Sequence, residues 1–227
     1  MNNLRDKSNI PGLVCAVIPF FNEESTLQIV IDEVLNYVQF IFAVNDGSTD
    51  YFNINQEYSN IEIISLDKNY GKGKALYVGF QAAISAGYDS IVTLDADLQH
   101  EPKLIPLLLD GLDKFDIVIG NRLKNLKGMP LQRRLSNKLT SFLLSLKTSQ
   151  KIIDSQCGFR AYSVKVLKDV KTKYFGFEAE SEILVLAARK GYKIGFIDIP
   201  TIYGTGKSKM RPLQAIIGFM KVILKSA

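Results

Sequence analysis

Runs rich in apolar residues alternate with helical patterns through the first half of the chain. Such runs, each followed by a polar turn, are typical of buried strands, and they lie at 14–18, 40–44, 61–66, 90–94 and 116–120. Between them, apolar residues three and four apart predict helices at 27–38, 75–86 and 103–113. Ser25 is expected to be the N-cap of the first helix. This alternation predicts an α/β domain with a mainly parallel central sheet.

The second half is less regular, and its clearest feature is a predicted cationic amphipathic helix. Apolar residues recur at three- and four-residue steps with Arg133, Arg134 and Lys138 between them, and they are Leu131, Leu135, Leu139, Phe142, Leu143 and Leu146. Two interpretations remain open: a helix that lies in a membrane interface, or a core helix with a solvated basic side. A helix at 178–190 and a strand at 193–199 are expected to follow.

The last segment, 212–225, is apolar on most sides and predicts a further helix. At about 14 residues it would be roughly 21 Å long, too short for the ~30 Å hydrocarbon layer of a bilayer. It could lie on a membrane, pack on a partner or close the fold. The chain shows no internal repeat and no interdomain linker, so a single domain is expected.

Composition and the scarcity of two residue types exclude several classes of protein. The 227 residues are 47% apolar and 22% charged, which rules out collagen-like, coiled-coil and wholly disordered chains. Two cysteines, Cys15 and Cys157, are too few for a disulfide framework or a structural zinc site. His100 is the single histidine, so a histidine-rich metal site is excluded. No charged-then-apolar leader precedes the first strand, and we expect a protein of the reducing cytosol.

The net charge of +5 is unevenly distributed along the chain. Residues 121–151 carry eight basic and no acidic residues, and residues 199–227 carry five basic and no acidic residues. The remainder has 15 basic against 23 acidic residues. An acidic body with two cationic segments predicts a surface for anions, either phosphates or an anionic membrane face. Nucleic acid is not expected as a partner, because the first segment has Phe142 as its one aromatic residue.

Polar clusters follow three of the predicted strands, at 22–24, 45–50 and 95–100. Open α/β sheets bind ligands beyond the carboxyl ends of their strands. Turn chemistry would explain any one cluster alone. Three in one crevice bring carboxylates together, which is costly unless a cation lies among them.

The sharpest of these clusters is the pair Asp95 and Asp97, followed by Gln99. Their hard oxygen ligands suit Mg²⁺ or Mn²⁺ and not zinc. Because Mg²⁺ usually shares its ligands with substrate phosphates, the pair predicts a metal bound together with a phosphate-bearing substrate. A polar loop that caps the next helix is the alternative.

A glycine- and lysine-rich segment at 69–74 is a weaker signal. It is neither a Walker A motif nor a dinucleotide fingerprint. A contact with a diphosphate and a simple helix-entry loop remain equally good interpretations. His100 and Cys157 are assigned no role beyond packing or shaping the site.

In combination, these motifs resemble those of family 2 glycosyltransferases. The similarity is greatest to the dolichyl-phosphate mannosyltransferase-like enzymes, which load a sugar onto a polyprenyl phosphate. It extends from about Val14 to Arg211 and rests on Pro19-Phe20-Phe21-Asn22-Glu23, Asn45-Asp46-Gly47-Ser48-Thr49-Asp50, Asn69-Tyr70-Gly71-Lys72-Gly73, Asp95-Ala96-Asp97-Leu98-Gln99, Gly120-Asn121-Arg122 and Cys157-Gly158-Phe159-Arg160.

The resemblance implies a single GT-A domain over 1–227. Its nucleotide-binding half would span about 11–122, its acceptor-side half about 123–211, and an amphipathic helix about 212–227. It also implies inversion at the anomeric carbon, a nucleotide-diphosphate-sugar donor such as GDP-mannose or a UDP-hexose, and Mg²⁺ or Mn²⁺ as the cofactor.

The resemblance further implies a role for each matching residue. The donor would contact Pro19, Phe21, Glu23, Asp46, Lys74, Asp95, Ala96, Asp97, Gln99, Arg122 and Arg134. The metal ligands would be Asp95, Asp97 and Gln99. The residues implied in catalysis are Asp97, Asp154 and Arg122. The acceptor phosphate would contact Arg160, Lys207, Ser208 and Lys209.

Three functional hypotheses remain open. The first is transfer of a sugar to a polyprenyl phosphate, by an enzyme peripheral to the cytoplasmic face of the membrane. The second is transfer to a hydroxyl of a polysaccharide, glycolipid or protein, with Asp154, Glu180 or Glu182 as the base. The third is a module that binds nucleotides or membranes without catalysis. A membrane-protein partner or a homo-oligomer is compatible with each.

Overall fold

The computed structural model of the chain describes residues 12–52, 54, 58–124, 129–202 and 212–225, and in the last range the side chains of 217–224. Its strands are β1 (Val14–Phe20), β2 (Phe40–Asn45), β3 (Ile61–Ser65), β4 (Ser90–Thr93), β5 (Ile117–Asn121), β6 (Arg160–Ser163) and β7 (Ile194–Asp198). Its helices are α1 (Glu24–Val34), α2 (Lys72–Ser85), α3 (Ile105–Gly111), α4 (Leu131–Thr148), α5 (Val164–Asp169), α6 (Ala179–Arg189) and α7 (Pro212–Lys225). A 3₁₀ turn at Pro102–Leu104 precedes α3.

The seven strands form one sheet in the order β3-β2-β1-β4-β6-β5-β7. Neighbouring strands are parallel except at β6, which is antiparallel to both β4 and β5. The predicted mainly parallel sheet is therefore confirmed. In the register of β1 and β2, Phe20 pairs with Asn45, so the two strands end level and their following loops meet at one edge.

The strands in the middle of the sheet read as apolar runs because helices cover both of their faces. All seven residues of β1 and all five of β5 are buried, as expected for parallel strands between two helical layers. Helix α2 packs on β1 and β2, whereas α3 packs on β5, β6 and β7. This core holds the carboxyl edge of the sheet in place.

Helix α2 approaches the sheet closely at Gly79. A Cβ atom there would lie 2.4 Å from a methyl carbon of Val17 and 3.2 Å from one of Val44. Those distances leave no room for a side chain, so glycine sets the separation between helix and sheet. The same helix carries Lys72 and Lys74 in its first turn, and this contact helps to fix their position.

The structure corrects the predicted start of α1 and adds two elements. The helix begins at Glu24, with Glu23 at the cap position, so the N-cap prediction for Ser25 is wrong. The amide of Glu24 donates instead to Asp50 Oδ2 at 2.9 Å, from the loop after β2. Strand β6 and helix α5 were not predicted, since each is short and β6 begins with a charged residue.

Helix α4 is amphipathic, as predicted, but its apolar stripe faces solvent. The buried residues of the helix are mostly polar, namely Asn137, Ser141, Leu144 and Thr148. The exposed residues are Leu131 (68%), Leu135 (61%), Leu139 (59%), Phe142 (59%) and Leu146 (64%). The sixth residue of the stripe, Leu143, is partly buried and packs against the core. Because the other five face solvent, the interpretation of α4 as a core helix that buries this stripe is wrong. None of the helices in the described ranges combines the length and apolar composition needed to cross a bilayer.

We expect Gly79→Ala to destabilise the protein by about 1–3 kcal/mol, because overpacking against Val17 outweighs the higher helix propensity of alanine. Chemical denaturation measures the change in the free energy of unfolding. Ser85→Ala, at an exposed position of the same helix, is the control and should change it by less than about 0.5 kcal/mol. The close approach would be contradicted if Gly79→Ala destabilised the protein no more than Ser85→Ala does, or if it stabilised the protein.

Candidate active site

The loops after β1 and β2 are joined by hydrogen bonds into one wall of a crevice. The backbone amide of Asn22 donates to Ser48 Oγ at 3.0 Å, and the side-chain oxygen of Asn22 accepts from the Thr49 amide at 2.8 Å. Asn22 has a φ of 53°, a conformation that asparagine tolerates better than most residues. Two of the three predicted polar clusters thus lie together, with Pro19 buried in β1 and Phe21 and Glu23 partly buried beyond it.

Asp46, at the end of β2, binds the start of α2. It is 4% exposed, and its two oxygens each accept a backbone amide at 2.9 Å, from Tyr70 and Gly71. Burial raises the pKa of this carboxyl, and the two amides oppose that effect. Asp46 therefore positions the glycine–lysine segment, and its predicted contact with the nucleotide base stays a prediction.

The two lysines at the start of α2 have different surroundings. The Lys74 ammonium lies 5.1 Å from the centre of the Tyr77 ring and 5.0 Å from that of Phe175, a cation–π arrangement. The Lys72 ammonium lies 2.7 Å from Asp95 Oδ1 and 3.1 Å from Glu180 Oε2. The predicted role was assigned to Lys74, yet Lys72 is the lysine that reaches the paired aspartates.

The third cluster follows β4 and holds the paired aspartates in different ways. Lys72 binds Asp95, whereas Asp97 accepts the Gln99 amide at 3.1 Å and its Nε2 at 2.7 Å. Ala96 between them is 2% exposed. Although burial alone would raise it, the Lys72 ammonium holds the pKa of Asp95 far below its usual range. Burial, and then the negative charge of Asp95, raise the pKa of Asp97.

This donor set fits a divalent ion that shares its ligands with a substrate. Among the described residues, no group of three or more His, Cys, Asp or Glu is arranged to hold a metal. A closed protein cage is thus not formed there. Asp97 has carboxylate oxygens crowded by a second negative charge, and Mg²⁺ needs no more than one or two carboxylates beside phosphates and water. In the structure Gln99 orients Asp97, and its part as a direct ligand stays a prediction.

Arg122, which directly follows β5, forms a bidentate ion pair with Asp154. Arg122 Nε and its terminal nitrogen lie 2.9 and 3.0 Å from the two oxygens of Asp154. Asn137 of α4 donates to the same carboxylate at 2.6 Å. Asp154 is fully buried; burial would raise its pKa, but the Arg122 guanidinium holds it below its usual value.

The proposed role of Asp154 as a base stays a prediction, and its surroundings do not favour it. A carboxylate with a lowered pKa, enclosed by its partners, is a poor proton acceptor. The other two candidates are also engaged. Glu180 pairs with Lys72, and Glu182, 2% exposed, accepts the amides of Lys173 and Tyr174 at 2.8 and 3.1 Å.

Arg160 does not contact solvent, which corrects its predicted role at the acceptor phosphate. Its side chain is fully buried and donates to the carbonyl oxygens of Cys157 at 2.7 Å, Ser155 at 2.9 Å and Glu180 at 3.2 Å. It therefore braces the loop before β6 against α6. Burial raises the pKa of the Cys157 thiol to about 11, and His100 is buried and stacked on Phe159.

Other predicted residues lie farther along the chain. Arg134, in the first turn of α4, donates from Nε to the carbonyl of Met129 at 2.8 Å, and its predicted donor contact stays a prediction. Lys207, Ser208 and Lys209 fall outside the described residues.

Sequence reasoning missed Lys72, Glu180 and Asn137. For Lys72 a signal existed, because a lysine in the first turn of a helix opposes the helix dipole. Glu180 was considered as a base alone, and the buried position of Asn137 follows from packing that the chain order does not reveal.

Comparison with known proteins agrees with this architecture. The family model described as "Glycosyl transferase family 2" matches residues 15–171. The chain is 32% identical over 232 residues to the UDP-N-acetylglucosamine–dolichyl-phosphate N-acetylglucosaminyltransferase of Methanococcus voltae, covering 91% of this chain and 92% of that protein. It is 30% identical over 215 residues to the dolichol-phosphate mannosyltransferase of Pyrococcus furiosus, covering 87% and 59%.

A solved structure shares the fold. Glucosyl-3-phosphoglycerate synthase of Mycobacterium tuberculosis, in complex with Mn²⁺, UDP and phosphoglyceric acid, superposes with a TM-score of 0.72 at 21% identity, over 94% of this chain and 76% of that one. The predicted GT-A fold is confirmed. The match over more than half of the chain, and the identity with the M. voltae enzyme, show that this chain is a glycosyltransferase and belongs to glycosyl transferase family 2.

Proposed function

We propose that this glycosyltransferase moves a sugar, with inversion, from a nucleotide-diphosphate-sugar to a polyprenyl or dolichyl phosphate. The observation that carries the proposal is the exposed apolar stripe of α4, which suits an acceptor that lies in a membrane. The names of the M. voltae and P. furiosus relatives, both lipid-phosphate sugar transferases, support the same acceptor class. GDP-mannose and a UDP-hexose remain the candidate donors.

On the donor side, the crevice residues would bind and orient the nucleotide. Asp46 keeps the start of α2 in place because its carboxylate accepts the backbone amides of Tyr70 and Gly71. Asp97, oriented by Gln99, would hold Mg²⁺ or Mn²⁺ together with the diphosphate. When bound, such an ion supplies electrostatic stabilisation of the charge that develops on the diphosphate. Pro19, Phe21, Glu23, Lys74, Arg122 and Arg134 complete the proposed donor site.

On the acceptor side, a phosphate monoester needs little help to act as a nucleophile. Its second pKa is near ~6, so at neutral pH it is mostly dianionic. The task left to the protein is to hold two anionic substrates close together. Lys207, Ser208 and Lys209 are the proposed contacts of the acceptor phosphate.

A hydroxyl acceptor is less well supported, because it requires a general base. The three carboxylates considered for that role, Asp154, Glu180 and Glu182, all have strong partners. This observation favours the phosphate acceptor.

We further propose that α4 and α7 lie against the anionic cytoplasmic face of a membrane. The two helices contact each other, and α7 also exposes apolar side chains, with Ile217 at 49% and Leu224 at 70%. Basic residues accompany both, including Arg133, Lys138 and Lys221. Apolar insertion and attraction to anionic lipids would then act together.

The reaction is tested by incubating the enzyme with polyprenyl phosphate, Mn²⁺ and a panel of labelled nucleotide sugars. We expect label in the organic phase with one donor, and at least a hundredfold loss with chelator or in Asp97→Asn, because the charge on the departing diphosphate is then unopposed. Asp113→Asn, at an exposed turn, should retain full activity. Product formed on a soluble hydroxyl acceptor, and none on the lipid phosphate, would contradict the proposal.

The role of Asp154 is tested by Asp154→Asn. Removing one partner of a buried pair should lower the free energy of unfolding by about 3–5 kcal/mol. Because its pKa is lowered in the folded state, the stability from Asp154 is present above its unfolded pKa of about 3.9 and is lost as the pH falls below that value. Denaturation curves between pH 3 and 7 would show this loss in the wild type and a smaller one in the variant. A hundredfold fall in kcat with unchanged stability would indicate a base instead.

Membrane contact is tested by sedimentation with vesicles that contain anionic phospholipid. The double variant Leu135→Gln with Leu139→Gln should weaken binding to the vesicles at least tenfold, since each leucine that inserts into the bilayer contributes about 1.5–3 kcal/mol. The matched control is Ile29→Gln with Leu107→Gln, at 47% and 45% exposed positions on α1 and α3. We expect added salt to weaken binding of the wild type. Equal losses in the two double variants would contradict a surface on α4.

A further inference from the structure

Lys72 occupies a position that helix stability does not favour. It is the first residue of α2, where a positive charge opposes the helix dipole, and its side chain is 15% exposed. Burial of an ammonium group is costly unless it is paired. The ion pairs of Lys72 with Asp95 at 2.7 Å and Glu180 at 3.1 Å therefore offset the cost of burying its ammonium group at the start of the helix.

Glu180 is itself anchored from the far side. Its side chain is 9% exposed, and its backbone carbonyl accepts a hydrogen bond from the buried Arg160 at 3.2 Å. Its second carboxylate oxygen lies 3.4 Å from Arg160 Nε, an ion pair without a hydrogen bond. The charges of Asp95, Lys72, Glu180 and Arg160 alternate in sign along this row. The row connects the loop after β4 with α2, α6 and the start of β6, so the ammonium of Lys72 is held from both sides.

Gly158 keeps the space that this pairing needs. A Cβ atom on Gly158 would lie 2.6 Å from Lys72 Nζ and 2.7 Å from Asp95 Oδ2. The carbonyl of the same glycine accepts a hydrogen bond from Thr93 Oγ1 at 2.9 Å, at the end of β4. The backbone therefore packs directly against the ion pair and limits the movement of both side chains.

The two aspartates after β4 thus have partners of different charge. Asp95 has a fixed cation, whereas Asp97 has the neutral amide groups of Gln99. A divalent ion that approaches the pair meets an aspartate already neutralised and a second that is not. It also meets the repulsion of the nearby ammonium.

We propose that Lys72, anchored by Glu180, is a positioning residue that fixes and neutralises Asp95, so that Asp97 is the carboxylate left for the divalent ion. The ammonium also weakens binding of the ion alone, so that the ion binds together with the nucleotide diphosphate. This inference rests on the proposed function, since it assumes that an ion and a diphosphate share the crevice.

Mn²⁺ titration of the full chain, followed by the electron paramagnetic resonance of the free ion, tests the inference without turnover. In the absence of nucleotide, Lys72→Met should bind Mn²⁺ about tenfold more tightly than the wild type, because a repelling charge is gone. Lys72→Arg, which keeps the charge, should stay within about threefold. The matched control is Lys165→Met, which removes a 62% exposed lysine paired with Asp116 and should leave the affinity unchanged. If Lys72 had a purely structural role, Lys72→Met would leave the Mn²⁺ affinity unchanged or lower it.

The double variant Lys72→Met with Asp95→Asn tests whether Asp95 is a ligand of the metal or a neighbour that Lys72 neutralises. Because it removes both charges of the pair, it can still be measured if Lys72→Met alone does not fold. We expect its Mn²⁺ affinity within about threefold of the wild type, and loss of binding in Asp97→Asn. If the double variant binds as weakly as Asp97→Asn, or if a folded Lys72→Met binds no more tightly than the wild type, the inference is overturned. Should the wild type bind no Mn²⁺ even with UDP or GDP, the metal-dependent function itself fails, and the inference with it.

Discussion

The crowding of carboxylates at the carboxyl edge of the sheet is the constraint on which the rest of the site depends. The parallel strands β2 and β4 bring Asp46, Asp95 and Asp97 to the same edge, and each is accommodated differently. Asp46 accepts two backbone amides, Asp95 binds Lys72, and Asp97 accepts the side chain and amide of Gln99. The two backbone amides at Asp46 and the Lys72 ammonium at Asp95 reduce the repulsion among these carboxylates. Asp97 is where a divalent ion and a diphosphate would add the most stabilisation.

Buried ion pairs organise the part of the described structure formed by β5, β6 and α6. Arg122 holds Asp154 from the end of β5, and Arg160 holds Glu180 and the loop before β6. Pairs of this kind contribute little net stability compared with apolar packing, but loss of one partner is costly. They therefore fix the positions of the loops beside β5 and β6. A phosphate acceptor, which brings its own negative charge, is compatible with a wall that offers no free base among the described candidates.

Local chemistry determined how much of this could be predicted from the sequence. The strands β1 to β5 and β7, and the polar clusters after β1, β2 and β4, follow from apolar runs and turn residues, which are short-range signals. The four residues of β6 carry no such signal. The burial of Arg160 and Asp154 depends on partners 20 and 32 residues away. For α4, the periodicity predicted two faces without showing which one meets the protein, and here Asn137 and Ser141 fill the inner face because they bond Asp154 and Ser155.

A divalent ion and a diphosphate are expected to meet at Asp97 while Asp95 stays bound to Lys72. Anomalous diffraction from crystals grown with Mn²⁺ and a nucleoside diphosphate measures this directly. We expect a manganese peak at coordination distance from an Asp97 oxygen and a diphosphate oxygen, with the Lys72–Asp95 pair intact. A peak coordinated by Asp95 with Lys72 displaced, or a bound nucleotide without any peak in the crevice, would contradict it.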